Sequence, residues 1–152
     1  MQTVSTFKRV IQLIFLILLV NVVGYIASGY MTPDTMMWYN SLPMSQLTPP
    51  AKIFGLVWGI LLLLQAIAAF IVWNKASPRY FVIQLALNML WSFVFFYLKN
   101  PIGAFAVTIF FILALMMNIK VFAKASKLAG WLIVPTLVWA IFALYLNAVI
   151  VF

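Results

Sequence analysis

PAKIFGLVWGILLLLQAIAAFIVW, residues 50–73, holds a single charge, Lys52, and a single amide, Gln65, among glycine, aromatic and aliphatic residues. Its length is that of an α-helix crossing a bilayer core, about twenty residues. It opens on Pro50, and proline is tolerated at a helix start because the first helical N–H has no partner within the helix. The rest of the chain has the same character. Of 152 residues, 68% are hydrophobic and 7% charged, with a mean hydropathy of +1.20. A soluble domain is about half apolar and roughly a quarter charged, so no water-facing surface can be made from this composition. Five apolar segments fit: Phe7 to Ser28, Pro50 to Trp73, Pro78 to Leu98, Pro101 to Ala123 and Ser126 to Val151. The expected fold is all-α, one domain over residues 1–152, an integral membrane bundle of five transmembrane helices with a long loop between the first and second. The later connections are minimal, so helices two to five are expected to be antiparallel neighbours.

Bases set the expected orientation. With the N-terminus inside, Lys8, Arg9, Lys75, Arg79, Lys120, Lys124 and Lys127 share the inner face, leaving Lys52 and Lys99 outside. That places the C-terminus outside and assigns the net charge of +8 to anchoring at membrane lipid. Nucleic-acid binding is not expected, because no basic patch exists beyond the helix ends. The first segment exceeds the apolar core of a cleaved signal and reads as a retained helix. The lack of a long, Arg-rich presequence points to a microbial cell membrane.

Absent residues narrow the chemistry. The chain has no histidine and no cysteine, and its one acid, Asp34, falls in the first loop, where it reads as a solvated residue. No helix therefore carries the buried carboxylate or imidazole of a proton relay, which also argues against a small drug exporter. Metal ligation lacks its donors, and serine catalysis lacks its base. No catalytic residue, metal site or cofactor is expected, and enzymatic activity is not favoured.

What the helices do hold is amides and aromatic rings. Gln12, Asn21, Gln65, Gln84, Asn88, Asn118 and Asn147 place at least one amide in every segment, and such groups usually bond across helix interfaces in lipid. Three stripes stand out by spacing. Gln84, Asn88, Trp91, Ser92 and Phe95 share one face of the third helix, Pro135, Trp139, Phe142, Ala143, Leu146 and Asn147 one face of the fifth, and the second offers Phe54 and Trp58. At about 1.5 Å per residue, Trp58, Trp91 and Ala143 all lie about 10–12 Å from the outer helix ends, and Trp139 lies just below at about 18 Å, deeper than the belt where tryptophan normally anchors a helix. Trp73 and Trp131 lie near the inner ends, as ordinary anchors. Above this level runs WYNSLPMSQLTPP, residues 38–50, restrained by Pro43, Pro49 and Pro50. It reads as a lid over a pocket that holds a flat, largely apolar ligand by stacking and a few polar contacts. Gly55 and Gly59 form a GxxxG close-packing motif, which serves either a dimer or a contact within the chain, the latter favoured because Trp58 beside them must point inward.

Trp38-Tyr39, Leu42 and Pro49-Pro50 with Phe54 and Trp58, then Gln84-Leu85, Leu87-Asn88, Trp91-Ser92 and Phe95-Phe96, then Pro135, Trp139, Phe142-Ala143 and Leu146-Asn147, resemble in order the motifs of the translocator protein / tryptophan-rich sensory protein family, TspO/MBR. The resemblance runs over nearly the whole chain. It implies a five-helix membrane protein, commonly a homodimer, that binds porphyrins and related tetrapyrroles, often sterols, and benzodiazepine-type drugs, with porphyrin a ligand rather than a cofactor. Carried over by position, it marks Tyr39, Phe54, Trp58, Asn88, Trp91, Ser92, Phe95, Trp139 and Ala143 as the ligand-binding residues. The chain departs from the pattern in three places. Met44-Ser45 and Leu47 stand where Lys-Pro and then Trp are usual, so a charge beside the lid must come from Lys52 or Lys99. Thr136 follows Pro135 in place of a usual Tyr. Nothing basic follows Lys127, so the C-terminal sterol motif of animal members is incomplete. The resemblance implies a receptor or sensor, with a transporter of lipophilic molecules or a porphyrin-degrading enzyme as the alternatives.

Overall fold

The computed structural model describes residues 2–152, which form helices and their connections with no strand among them. Five helices are long and apolar enough to cross a membrane: α1 (Gln2–Ser28), α3 (Ala51–Ile71), α4 (Arg79–Ser92) with its continuation through Tyr97, α5 (Pro101–Ala125) and α6 (Lys127–Val151). A short helix, α2 (Pro33–Asn40), interrupts the first loop, so the lid is part helical rather than wholly irregular.

The helix starts follow local chemistry. Pro33 and Pro101 occupy the first turns of α2 and α5, behind Thr32 and Asn100, whose side-chain oxygens accept from Thr35 N at 3.3 Å and Gly103 N at 2.9 Å. Ser126 caps α6 in the same way, and Pro50 and Pro78 precede α3 and α4. Each cap satisfies an N–H that the helix itself cannot. At the third spanning helix the backbone widens into a π turn over Phe93–Tyr97, and Lys99, at φ 49°, reverses the chain into α5.

Packing closes these helices into a ring in the order α1, α3, α6, α5, α4. Helices α4, α5 and α6 are consecutive neighbours as expected, but α3 and α4 are not an extensive pair: both pack on α1, which lies between them. The end of α3 and the segment after it lie against α1, where Phe15 meets Trp73 and Arg9 lies 5.3 Å over the Phe70 ring. Large apolar side chains such as Leu18, Leu56, Phe110 and Val138 face outward, as lipid allows. The interior divides in two. A long core of Leu, Val, Ala and Phe fills the half remote from the loop, and a smaller cluster of Phe95, Phe96 and Ala104 lies under Trp38, Tyr39 and Leu42 at the loop end.

Gly55 and Gly59 depart from expectation. A methyl group added at either would meet nothing within 4 Å, so the pair makes no close contact inside the chain. The close contact is elsewhere: Gly130 packs directly on Ala123 across the α5–α6 turn.

Candidate functional site

The π turn explains how the loop end is walled. An extra residue in one turn rotates the following side chains, so the adjacent Phe95 and Phe96 both point inward, 2% and 4% exposed. Phe95 stacks on Trp91 at 4.9 Å with an interplanar angle of 11°. Above it, Trp38 and Tyr39 of α2 meet the Phe95 ring edge-on at 5.5 and 6.1 Å. A second chain of rings starts from Phe54, which lies 6.3 Å from Trp58 and 5.8 Å from Trp139. It continues through Phe142 to Tyr145, whose hydroxyl lies 3.1 Å from that of Ser45 in the loop. The lid thus rests edge-on against Phe95 on one side, the arrangement that ring quadrupoles favour, and on the Tyr145 hydroxyl on the other.

Three hollows lie within this shell. An upper cavity of about 60 Å³ under the loop is lined by Tyr39, Phe54, Trp91, Phe95, Phe96, Ala143 and Asn147, with Met31 and Met36. A floor cavity of about 20 Å³ reaches inward between Trp58, Asn88, Thr108, Phe111 and Ala140. A groove of about 680 Å³ runs between α1 and α3, past Asn21, Gly24, Tyr25, Gly55, Trp58, Gly59, Asn88 and Ser92. Phe54 and Trp91 border all three. Ligand pockets span about 300–1,000 Å³, so the groove alone among these hollows has ligand size, and the space under the loop is narrow.

Eight of the nine residues marked by the resemblance therefore border a hollow: Tyr39, Phe95 and Ala143 the upper one, Trp58, Asn88 and Ser92 the groove, Phe54 and Trp91 all of them. Trp139 borders none and backs the Phe54 ring from behind. Sequence reasoning missed Phe96, because helical spacing puts it off the stripe and only the π turn brings it in. It also missed the α1 contribution, where a uniformly apolar helix gives no facing signal beyond Asn21.

The polar groups are few. Asn147 Nδ2 donates to Pro101 O at 2.9 Å, and Gln65 and Gln84 also bond between helices. Asn21 does not act as interhelical glue: it donates to Ile17 O in its own helix at 2.7 Å. Among the described residues Asn88 Nδ2, Trp139 Nε1 and Asn147 Oδ1 are buried without partners. Asp34 is exposed yet paired, accepting from Lys99 Nζ at 2.7 Å and so tying α2 to the turn before α5. Of the two bases proposed to serve the lid, Lys99 is thereby engaged.

Burial pushes the Tyr39 hydroxyl above its ordinary pKa of 10.0. Docked against Phe95, the neutral phenol is favoured; released into water, it loses its proton near its ordinary value. Docking of α2 is therefore at full strength below about pH 10 and weakens above it. Proteolysis of the loop, followed from pH 8 to 11, should accelerate above pH 10 in the wild type, and Tyr39→Phe should remove that rise.

A family model described as TspO/MBR matches residues 16–152. The chain is similar to the tryptophan-rich protein TspO of Archaeoglobus fulgidus, at 32% identity over 91% of this chain and 94% of that one. It is also similar to the tryptophan-rich sensory protein of Cereibacter sphaeroides, at 34% over 72% of each, and to the human translocator protein, at 25% over 81% and 78%.

Proposed function

The chain belongs to the TspO/MBR family, and on that premise we propose that it is a membrane receptor of the sensor type, binding porphyrins and related flat, apolar molecules beneath the loop between α1 and α3. The observation that carries this reading is the convergence of three hollows on the Phe54 and Trp91 rings. A planar ligand entering the groove lies against those two rings and meets isolated polar groups of Asn88 and Ser92, with the upper cavity taking a substituent under Tyr39. Stacking supplies the affinity and the amides the orientation. The N-terminus faces inward in this reading, because seven of the nine bases then share the inner side, and a homodimer is the expected assembly.

Titration with protoporphyrin, read by quenching of tryptophan emission, tests the proposal. Saturable micromolar binding is expected, weakened about tenfold by Trp58→Phe and less by Trp139→Phe, since Trp139 only supports Phe54. Absence of saturable binding, or indifference to both changes, would return the function to another ligand. Counterflow across proteoliposomes would instead make the protein a transporter.

Iron gives a second check. Haem iron is normally held by His, Cys, Met or Tyr; the chain has neither His nor Cys, and although Met31, Met36 and Tyr39 line the upper cavity, binding by shape uses none of them as an iron ligand. Haem and metal-free protoporphyrin should bind with similar affinity, and haem spectra should lack a strong axial ligand; a low-spin spectrum with much tighter haem binding would overturn binding by shape.

A further inference from the structure

Past the floor cavity, toward the end remote from the loop, four polar side chains lie in the core with no exposed surface: Gln65 of α3, Gln84 of α4, Asn118 of α5 and Thr136 of α6. Gln65 Nε2 donates to Thr136 Oγ1 at 3.2 Å, and Gln84 Nε2 donates to Gln65 Oε1, which ties three helices together. Asn118 belongs at the same level. Phe81 stacks on Phe122 at 6.1 Å between the antiparallel α4 and α5; Gln84 lies one turn after Phe81, and Asn118 one turn before Phe122, so both project into the same interface. Yet Gln84 Oε1 and both polar atoms of Asn118 are buried without a hydrogen-bond partner among the described residues.

The chemistry of those three atoms selects what binds them. Two are acceptors and one is a donor. A cation would satisfy the oxygens and leave Asn118 Nδ2 stranded, and no spanning helix offers a carboxylate to balance its charge. An anion would do the reverse, and an apolar molecule would satisfy none. Water donates twice and accepts, and buried water typically makes about three hydrogen bonds to groups otherwise unpaired. We propose that Gln84 and Asn118 form a binding site for an ordered water molecule, which joins α5 to the Gln84–Gln65–Thr136 chain and completes a polar tie across four helices. The tie lies one turn below Asn88 on α4, one turn below Ala140 on α6 and two turns below Trp58 on α3. It therefore fixes the spacing of the helices that carry the floor of the hollows.

The test combines a crystal structure of the wild type in a lipid mesophase with melting temperatures of Gln84→Leu, Asn118→Leu and the double variant. A density peak within hydrogen-bond distance of Gln84 Oε1 and Asn118 is expected. Each single change should lower the melting temperature by roughly 3 °C or more, and the double should fall little further than the worse single, because both remove the same bridge. A melting temperature unchanged or raised by either leucine would mean that the amides are dry and unpaired, and would overturn the proposal. Additive losses, a direct amide–amide bond in the map, or a melting temperature that changes when sodium replaces potassium would each overturn it too. The map of the wild type decides the matter even if a leucine variant fails to fold.

Discussion

Ala143→Phe is expected to weaken saturable porphyrin binding by about one to two decades, while the protein stays folded and helical. Ala143 borders both the upper and floor cavities, facing the Phe54 and Trp91 rings. Those spaces measure about 60 and 20 Å³, too little for an added ring unless the Trp91–Phe95 stack gives way. Overpacking of this kind costs about 1–3 kcal/mol, and a ligand that must restore the stack to bind loses a comparable amount. Since 1.4 kcal/mol is about tenfold in an equilibrium constant, the expected loss spans about one to two decades. The same side chain at Val138, which is 61% exposed on the outer face of α6, serves as the control and should change nothing. Wild-type affinity in Ala143→Phe would place the ligand outside the upper and floor cavities.

That geometry was only partly legible in the sequence, and the division has physical causes. The spanning helices declare themselves because lipid demands long apolar runs and prolines mark several starts. The level shared by Trp58, Trp91 and Ala143 is also readable, because rise per residue is fixed, and the floor cavity does bring the three together. Ring order is a different kind of information. The short connection between α3 and α4 limits how far apart their ends lie but does not forbid α1 from packing between them. The π turn over FVFFY is invisible because every residue in it is apolar, so a one-residue shift in phase changes no pattern. The helix α2 was readable in principle. Thr32-Pro33-Asp34 supplies a capping hydroxyl, a proline in the first turn and an acid at the positive end of the helix dipole, but prolines further along make the stretch look irregular throughout. GxxxG misled for a related reason: the motif reports that a close approach is possible, and nothing in it names the partner.

Glycine substitutions turn that last point into the largest stability effect expected here. Gly130→Ala should lower the melting temperature by several degrees, whereas Gly55→Ala and Gly59→Ala should leave the monomer unchanged or slightly more stable. A methyl at Gly130 would lie 2.7 Å from Ala123 Cβ and 3.1 Å from its Cα, and a backbone atom cannot swing aside as a side chain can. The ends of α5 and α6 must part, at a cost of about 1–3 kcal/mol, or roughly 2–12 °C for a chain of this size. Only Ser126 joins the two helices, so the strain has no slack connection to absorb it. At Gly55 and Gly59 a methyl meets open space, and alanine removes backbone freedom worth about 0.5–1 kcal/mol in a helix interior. The readout separates two kinds of contact. If Gly55→Ala and Gly59→Ala reduce dimer formation without lowering the monomer's melting temperature, the glycines serve a second copy of the chain. If all three glycines behave alike, the close contact assigned to Gly130 is wrong.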